Sequence, residues 1–373
     1  MVVRQHMRRT RGITTAGLVV GMTTLMAFVA VAVDVAILNS CCTEARAAAD
    51  AAALAGAAEL WDRSLLPPHL QNLGLPAVSA SSSPARTVSE QQMLRCFDCA
   101  CEVAAVNTVG GQSVNLSEED LAVNALSGAL SLTVQGSFTN QRGNPVSQVI
   151  GRSLGLTDAD LQIASCAVLD QRVYGFAASA TAHAPVLPIL LDADLWHGQV
   201  ANSSIVTIQI ATDASQISTG VKLSTMQPTA ATVLIDHRGI VPRTIVDHVL
   251  SGIAQSDVAN LPGHAIAVSQ DPSRPLDLSA IVVSTMTLRD VGNALRTITG
   301  QPRVWMLGTQ VTDANGVVAC RVTSFAAAKI LACSVDGDRL TAVLQPCLYS
   351  TSTALVRVGQ PRNPWLAKVC LVQ

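Results

Sequence analysis

The sharpest enzyme-like pattern in the sequence is a G-x-S-x-G pentapeptide at residues 151–155, with Ser153 at its centre. In α/β-hydrolases this pattern holds a nucleophilic serine on a tight turn between a strand and a helix. Asp158, Asp192 and His264 follow in the chain order that such a triad uses. The context opposes this assignment, because Pro145 lies where the preceding strand should be and no HGGG-type oxyanion segment exists. We therefore favour a turn with two useful glycines and keep a serine hydrolase as the alternative.

A second candidate for chemistry is the cluster Cys96-x-x-Cys99-x-Cys101. Closely spaced thiolates can bind Zn²⁺ or exchange disulfides. A structural zinc site normally needs a second Cys or His pair at suitable spacing, and none follows here. Disulfide bonding is the preferred prediction if this part of the chain lies outside the cytoplasm. A thiol oxidoreductase that uses Cys96 and Cys99 is the alternative.

The other cysteines divide by position. Some lie in the body of the chain and are expected to form disulfides with the cluster or with one another, with a connectivity that the sequence leaves open; these are Cys166, Cys320, Cys333, Cys347 and Cys370. Cys41 and Cys42 lie much earlier, just beyond an apolar run. There they could form an inter-chain disulfide between two parallel copies, or face a neighbouring domain, or stay reduced.

Cofactor chemistry has no sequence support. Neither a Walker A loop nor a G-x-G-x-x-G fingerprint occurs, and the 7 histidines are scattered without an H-E-x-x-H spacing. We therefore expect no cofactor and no metal.

The composition narrows the classes of protein to which this chain could belong. The chain has 373 residues, of which 49% are hydrophobic and only 13% charged, which excludes general intrinsic disorder. Four of its 24 basic residues precede the first acidic residue; these are Arg4, Arg8, Arg9 and Arg11. The rest of the chain holds 20 basic against 26 acidic residues. This part of the chain therefore has a negative net charge and lacks the basic surface that is typical of a nucleic-acid-binding protein.

Residues 13–33 form an apolar run without a charge or a proline. As a helix this run spans about 31 Å, which matches the hydrocarbon core of a bilayer. The arginines precede it and acidic residues follow it, so the positive-inside rule places the N-terminus in the cytoplasm and the body outside. A cleaved signal peptide is the alternative. We disfavour it because the run exceeds the usual apolar length of a signal peptide and the helical pattern continues past the expected cleavage point.

The helix is predicted to extend well beyond the bilayer. No proline occurs between Val33 and Pro67, and alanine dominates the segment, so we expect one continuous helix from about residue 16 to about residue 60. Asp34 then lies near the outer interface. Gly17 and Gly21 form a G-x-x-x-G pair, which can let two membrane helices approach and form a homo-oligomer, although glycine is also simply common in such helices.

The order of a basic tail, an apolar span, the tetrapeptide AVDV and the segment RAAADAAALAGAAEL resembles the N-terminal signature of TadG-like proteins of the Flp/Tad (tight adherence) pilus-assembly system. In that family an aspartate closes the span, here Asp34. A short block follows it, matched here by Asp50, Ala51, Ala52, Ala53, Leu54, Ala55 and Gly56. The resemblance implies a single-pass component of the bacterial inner membrane. It also implies that the partners are the lipid bilayer and other pilus-assembly or pseudopilin proteins.

The remaining sequence predicts an α+β body with more strand than helix. Helical periodicity is confined to residues 118–126, 243–254 and 287–297. Alternating or β-branched runs predict strands at 130–138, 161–169, 204–211, 229–236, 265–269, 278–284, 304–311, 317–323, 329–335, 340–344 and 354–358. Strands that occur in groups, without regular alternation with helices, argue against a doubly wound fold.

The predicted organisation is a linear series of segments. It comprises a cytoplasmic tail (1–12), a transmembrane helix (13–33) that continues outside the membrane to about residue 62, a linker (63–90), the first part of the body (91–200) and a second, β-rich part (201–373). The predicted function is non-enzymatic, with roles in anchoring and interaction. A membrane-tethered enzyme acting through Ser153 or through Cys96 and Cys99 is the alternative.

Overall fold

A computed structural model describes residues 3–71, 90–126, 129–139, 146, 160–211, 230–235, 242–269, 275–281, 284–312 and 318–372. A long N-terminal helix precedes a β-rich body with several sheets, so the predicted α+β class is confirmed. The helices are α1 (Val3–Ala58), α2 (Glu90–Val106), α3 (Ala193–Asn202), α4 (Pro242–Ser251) and α5 (Thr285–Thr297).

The strands fall into two groups along the chain. The first group is β1 (Thr108–Val109), β2 (Gln112–Ser113), β3 (Leu121–Leu126), β4 (Ala129–Phe138), β5 (Leu161–Asp170), β6 (Val173–Phe176), β7 (Val186–Asp192) and β8 (Val206–Ala211). The second is β9 (Ala230–Leu234), β10 (Ile266–Ala267), β11 (Leu276–Ile281), β12 (Pro302–Thr312), β13 (Val318–Asp336), β14 (Arg339–Pro346), β15 (Tyr349–Ser350), β16 (Ala354–Val356) and β17 (Leu366–Val372).

Helix α1 runs without interruption through the region where the sequence predicts one helix. Its two halves have different surroundings. Side chains of the described apolar residues up to Val33 are almost all exposed, whereas residues from Cys41 to Ala57 contribute to a buried core. One helix therefore belongs both to an apolar rod and to the body.

The first sheet, which we call the helix-side sheet, has the order β15-β17-β5-β4-β3. One face of it packs against the second half of α1, and α2 packs on α1 and contributes to the same buried core. Its strand β17 comes from the far end of the chain and pairs antiparallel with β5, with Val369 opposite Leu169. The body's first core is therefore completed by its last residues.

The second sheet, which we call the ring sheet, has the order β11-β9-β7-β12-β13-β14-β8. An additional pairing between β11 and β13 closes five of these strands into a ring, while β14 and β8 extend it. All its ladders are antiparallel except β7 with β12. A third, small sheet has the order β10-β6-β16.

Strand β13 is longer than predicted, because the two expected strands 317–323 and 329–335 are one element. The sequence between them contains Ala326, Ala327 and Ala328, which resemble helix formers. Each of these alanines is fully buried, and each pairs with β12. Small side chains fit here because this part of the strand lies in the crowded centre of the ring sheet.

The prediction of a helix at residues 118–126 is wrong. Glu118–Asp120 forms a single 3-10 turn, closed by a capping box between Ser117 and Asp120, and Leu121–Leu126 is strand β3. The acidic run resembles a helix N-terminus, but the residues after it pair with β4. Tertiary pairing overrides the local preference here.

Helices α2 and α3 are not among the predicted helices. The predicted helices 243–254 and 287–297 are confirmed as α4 and α5. The division of the body near residue 200 stays a prediction. We note that β7 and β8, which lie on either side of that position, are strands of the same ring sheet.

Candidate functional site: the anchor helix and its seat in the body

The apolar half of α1 is an exposed hydrophobic rod. Leu25 is 65% exposed and Phe28 is 71% exposed, which is unusual for such side chains in a water-soluble protein. Among the residues that the structure describes, α1 is the helix long and apolar enough to cross a membrane, and its apolar window is not buried anywhere. Thr23 and Thr24 donate their hydroxyl hydrogen bonds to carbonyls of the preceding turn, so no polar group of theirs needs water.

The change from bare to covered helix occurs at Asp34. This residue is 9% exposed, although its neighbours Val33 and Val35 are 41% and 51% exposed. Of the side chains described from residue 15 onward, it is the first that is buried. Asp34 therefore marks the point along α1 where burial of its side chains begins.

The block from Asp50 to Gly56 is the seat of α1 in the body. Ala52 and Ala53 are fully buried, and Ala51, Leu54 and Ala55 are half-buried. A Cβ atom added at Gly56 would lie 2.9 Å from the carbonyl oxygen of Cys96 and 3.0 Å from Cβ of Ala100, and would collide with Leu132. Small residues are required because α2 and the helix-side sheet approach α1 closely.

Two acidic side chains of α1 make polar contacts with the body. Asp50 Oδ1 accepts a 2.6 Å hydrogen bond from Ser165 Oγ of β5. Glu44 Oε2 accepts a 2.8 Å hydrogen bond from the backbone N–H of Gly110, which lies in the turn of the β1–β2 hairpin at φ +56°. These two contacts fix the rotation of the body about the axis of α1 and its position along that axis.

The residues directly after α1 are bound to the C-terminal segment. Trp61 Nε1 donates a 3.1 Å hydrogen bond to the Pro364 carbonyl, and Arg362 Nη1 lies 2.9 Å from Asp62 Oδ2. Asn363 connects this junction to the ring sheet, because its Nδ2 donates a 2.8 Å hydrogen bond to the Phe325 carbonyl. The end of the anchor helix is thereby connected to both large sheets.

The predicted cysteine cluster lies on α2, and all ten cysteines are thiols in the structure. Cys96 is fully buried against Gly56, and Cys99 lies one helical turn further on. Burial, with Cys99 and Glu59 nearby, raises the pKa of Cys96 to about 12. Burial and nearby acidic groups also raise the pKa values of Cys99 and Cys101. Reactive thiols need the opposite shift, because the thiolate is the nucleophile.

Cys101 does not share a site with the other two. Its Sγ lies 3.7 Å from the carbonyl oxygen of Leu116, in the segment after the hairpin. Within the described part of the chain no group of three or more His, Cys, Asp or Glu side chains is arranged to hold a metal ion.

The remaining cysteines are spread over the two large sheets. Cys166 and Cys370 lie on neighbouring strands of the helix-side sheet, opposite Val372 and Val168 respectively. The others belong to the ring-sheet region; they are Cys320 and Cys333 on β13, and Cys347 after β14. Disulfide pairing stays a prediction.

Cys41 and Cys42 lie on α1 above Asp34. Cys41 is 3% exposed and faces the hairpin turn at Gly110, whereas Cys42 is half-buried. An inter-chain disulfide stays a prediction, and Cys42 is the thiol of the two with better access to another chain.

Ser153 and Asp158 lie outside the described residues. The other two candidates for the triad are described, and they have other roles. Asp192 caps α3, accepting a 2.9 Å hydrogen bond from the Leu195 N–H, and His264 Nδ1 lies 2.7 Å from the Ala259 carbonyl oxygen.

Sequence reasoning missed several residues that seat the helix. Ser165, Glu44 and Asn363 were not singled out, since single polar residues in strands and loops carry no pattern. The pair Gly110–Gly111 was missed as well, although consecutive glycines are a hairpin-turn signature that could have indicated this turn.

A comparison with known families matches this region. The family described as putative Flp pilus-assembly TadE/G-like matches residues 12–59, which cover the apolar rod and its seat. No curated protein and no solved structure matches the chain. The resemblance predicted from the sequence is therefore confirmed for this segment: the chain carries a TadE/G-like N-terminal region and is consistent with a TadG-like protein of the Flp pilus-assembly system.

Proposed function

We propose that this protein is a non-enzymatic, single-pass component of a bacterial Flp/Tad-type pilus-assembly apparatus. It lies in the inner membrane with its N-terminus in the cytoplasm and its body outside. Helix α1 anchors the body, and the body presents surfaces to other proteins of the assembly system.

The observation that carries this proposal is the division of a single helix. Its apolar half is bare, and its second half is the centre of a folded core. A cleavable signal peptide has no need to be continuous with the core of the mature protein. The family match over residues 12–59 spans both halves, which supports a single unit of anchor plus seat.

The geometry supports a rigid link between membrane and body. A helix that ends at the bilayer surface and is followed by a flexible linker lets its domain rotate freely. Here Asp50, Gly56 and Trp61 contact the body directly, so the orientation of the body follows the helix. Such a link suits a component that must hold partners at a fixed height above the membrane.

The enzyme alternative has less support. A thiol oxidoreductase needs an accessible thiolate, and Cys96 is fully buried with a raised pKa. The described candidates for a serine triad, Asp192 and His264, are bound to local backbone groups.

The test compares anchored and released forms in cells that assemble the pilus. In a strain lacking the protein, the full chain should restore pili, and so should a chain whose residues 13–33 are replaced by an unrelated apolar span of equal length. A chain in which a cleavable signal peptide replaces residues 1–33 should be exported and fail. Restoration of pili by the released form would contradict the anchoring role.

Orientation is tested separately. Alkaline phosphatase joined after Gln373 through a Gly/Ser linker should be active, and a reporter that fluoresces only in the cytoplasm should be dark at the same position. The linker is needed because β17 continues to Val372. The reverse pattern would contradict the proposed orientation.

A further inference from the structure

Strand β3 forms an edge of the helix-side sheet. It pairs with β4 over its whole length, from Leu121 opposite Val134 to Leu126 opposite Ala129. Among the described residues no strand lies on its other side. The Leu121 N–H already donates to the Glu118 carbonyl. The other N–H and C=O groups that alternate toward that side can accept a further strand.

The other long strands of the fold are paired or carry edge protection within the described chain. Strand β17 is covered by β15 only at Leu366 and Ala367, but the next residue along its open edge is Lys368, a charge of the kind that commonly protects edge strands. The pairing of β11 with β13 closes one side of the ring sheet. The outer edge of β8 is capped at Thr207, whose N–H donates a 3.1 Å hydrogen bond to Gln199 Oε1. Strands β10, β15 and β16 are only two or three residues long. Strand β3 differs from all of these.

The sequence of β3 also lacks the usual protection. Native edge strands commonly carry lysine, proline or inward-pointing charges that prevent pairing. Residues 121–126 read LAVNAL, without any charge or proline. Ala122 and Asn124 are exposed, and Val123 is half-buried opposite Leu132. An open edge of this composition favours addition of a strand.

Acidic residues surround the N-terminal end of this edge. Glu118 and Glu119 are exposed immediately before β3, and Asp98 and Glu102 are exposed on the neighbouring helix α2. The Cys101 thiol on α2 lies 3.7 Å from the Leu116 carbonyl oxygen, just before this acidic run, and after burial itself Asp98, Asp120 and Glu118 help to raise its pKa. A partner strand that meets this patch is favoured if it carries basic residues there.

We propose that the β3 edge binds an extended segment of a partner protein that adds to the helix-side sheet as an antiparallel strand, uncharged along β3 and basic at its C-terminal end. Antiparallel pairing is chosen because it is slightly more stable per residue than parallel pairing. In that orientation the C-terminal end of the partner lies beside Glu118 and Glu119. Backbone hydrogen bonds supply affinity, and the acidic patch supplies orientation.

The test uses the full chain in detergent and fluorescein-labelled synthetic octapeptides. The probe is TVSVTVKK, compared with TVSVTVEE, with the reversed placement KKTVSVTV, and with TVSVTVKK methylated on alternate backbone nitrogens. We expect saturable binding of TVSVTVKK, at least tenfold weaker binding of TVSVTVEE at low ionic strength, and weaker binding of KKTVSVTV. Methylation should abolish binding. Added salt should narrow the difference between the charged peptides.

Variants of the protein separate the two contributions. Replacing Glu118 and Glu119 together by Gln should weaken the binding of TVSVTVKK several-fold. The same double variant should bind TVSVTVEE as tightly as the unchanged protein does, or more tightly. The matched control replaces two exposed acids at the β13–β14 turn, Asp336 and Asp338, by Asn and should change neither affinity. Hydrogen exchange should slow at β3 when the peptide binds and stay unchanged at β8, whose edge is capped.

Three results would overturn the proposal. The first is equal binding of the methylated peptide, which would show that the backbone edge is not recognised. The second is absence of binding by every peptide. The third is self-association of the protein in the absence of peptide, if the variant Asn124→Lys abolishes that self-association. This result would mean that a second copy of the chain binds to the β3 edge.

Discussion

Ser165 Oγ lies 2.6 Å from Asp50 Oδ1 although the two residues are 115 positions apart in the chain. Asp50 belongs to the family block on α1, and Ser165 belongs to the central region of the helix-side sheet. The contact is partly buried, and it is the polar counterpart of the small-residue packing around Gly56. It shows that the family block is a docking surface for the protein's own body.

Removing this contact should loosen the body on its helix. Ser165→Ala leaves the Asp50 carboxylate partly buried without its donor, and hydrogen bonds to charged groups contribute about 1.5–3 kcal/mol. We expect the free energy of unfolding to fall by about that amount in urea titrations of the detergent-solubilised protein. The double variant Asp50→Ala/Ser165→Ala should cost less than the sum of its parts. Additive effects would contradict a direct coupling.

Gly56→Ala should destabilise the protein, although alanine normally stabilises a helix by about 1 kcal/mol relative to glycine. The new methyl group would meet the Cys96 carbonyl, Ala100 and Leu132, and overpacking typically costs about 1–3 kcal/mol. Gly198→Ala on α3 is the matched control, because nothing lies within 4 Å of its added Cβ and it should stabilise. The measurement is thermal unfolding of both variants, and a gain in stability at Gly56 would refute the close approach.

Alkaline pH should destabilise the fully reduced protein. Burial raises the pKa of Cys96 and Cys320 to about 12 and that of Cys347 to about 11, from 9.0 in an ordinary thiol. The contribution of these thiols is complete below pH 9 and is lost as pH rises toward 12, because the unfolded chain releases protons that the folded chain keeps. Urea midpoints between pH 8 and 11 measure the slope. Cys320→Ala should flatten it, and an unchanged slope would contradict the burial of this thiol.

Replacing Asp34 by Asn should impair membrane insertion less than placing a new charge inside the apolar span. The residue lies at the end of the apolar rod, whereas Asp at the position of Val20 would place a charge near the helix centre, at a cost of about 2.5–3.5 kcal/mol on insertion scales. Carbonate extraction of membranes should leave Asp34→Asn in the pellet and reduce the fraction of Val20→Asp found there. Equal insertion of both variants would mean that the span is misplaced. Failed pilus assembly with normal insertion of Asp34→Asn would indicate a partner-docking role.

The last prediction is that the cysteines after α1 form disulfide bonds. If the body lies outside the cytoplasm, most of the eight cysteines after α1 should be paired in protein purified without reductant. A disulfide that closes a loop of about 15 residues or more contributes about 3 kcal/mol, so reduction should lower the melting temperature. Mass spectrometry of the alkylated, non-reduced protein identifies the pairs. Eight free thiols would contradict both the pairing and the extracytoplasmic placement from which it was argued.

The anchor helix could be predicted because its information is local. An apolar run of bilayer length, basic residues before it and an alanine-rich continuation each determine the conformation of the residues that carry them. The same reasoning found α5, whose apolar residues recur at helical spacing and whose Ser284 caps the first turn.

Prediction fails where a distant segment determines the structure. The residues of β3 could equally end a short helix after Glu118, and only pairing with β4 decides otherwise. The role of Gly56 depends on α2, whose closely spaced cysteines indicate thiol chemistry more readily than they indicate a helix that packs on α1. Asn363 joins the anchor junction to Phe325, and nothing in its neighbours in sequence indicates this contact.

The pairing of β17 with β5 imposes an order on biogenesis. Synthesis begins with α1, which enters the membrane first, yet the sheet that holds α1 is completed by residues near 370. Until these last residues have been made and have paired with β5, the sheet that packs on α1 lacks one of its strands. A translation product truncated before Leu366 would therefore be inserted in the membrane but unable to close its first core.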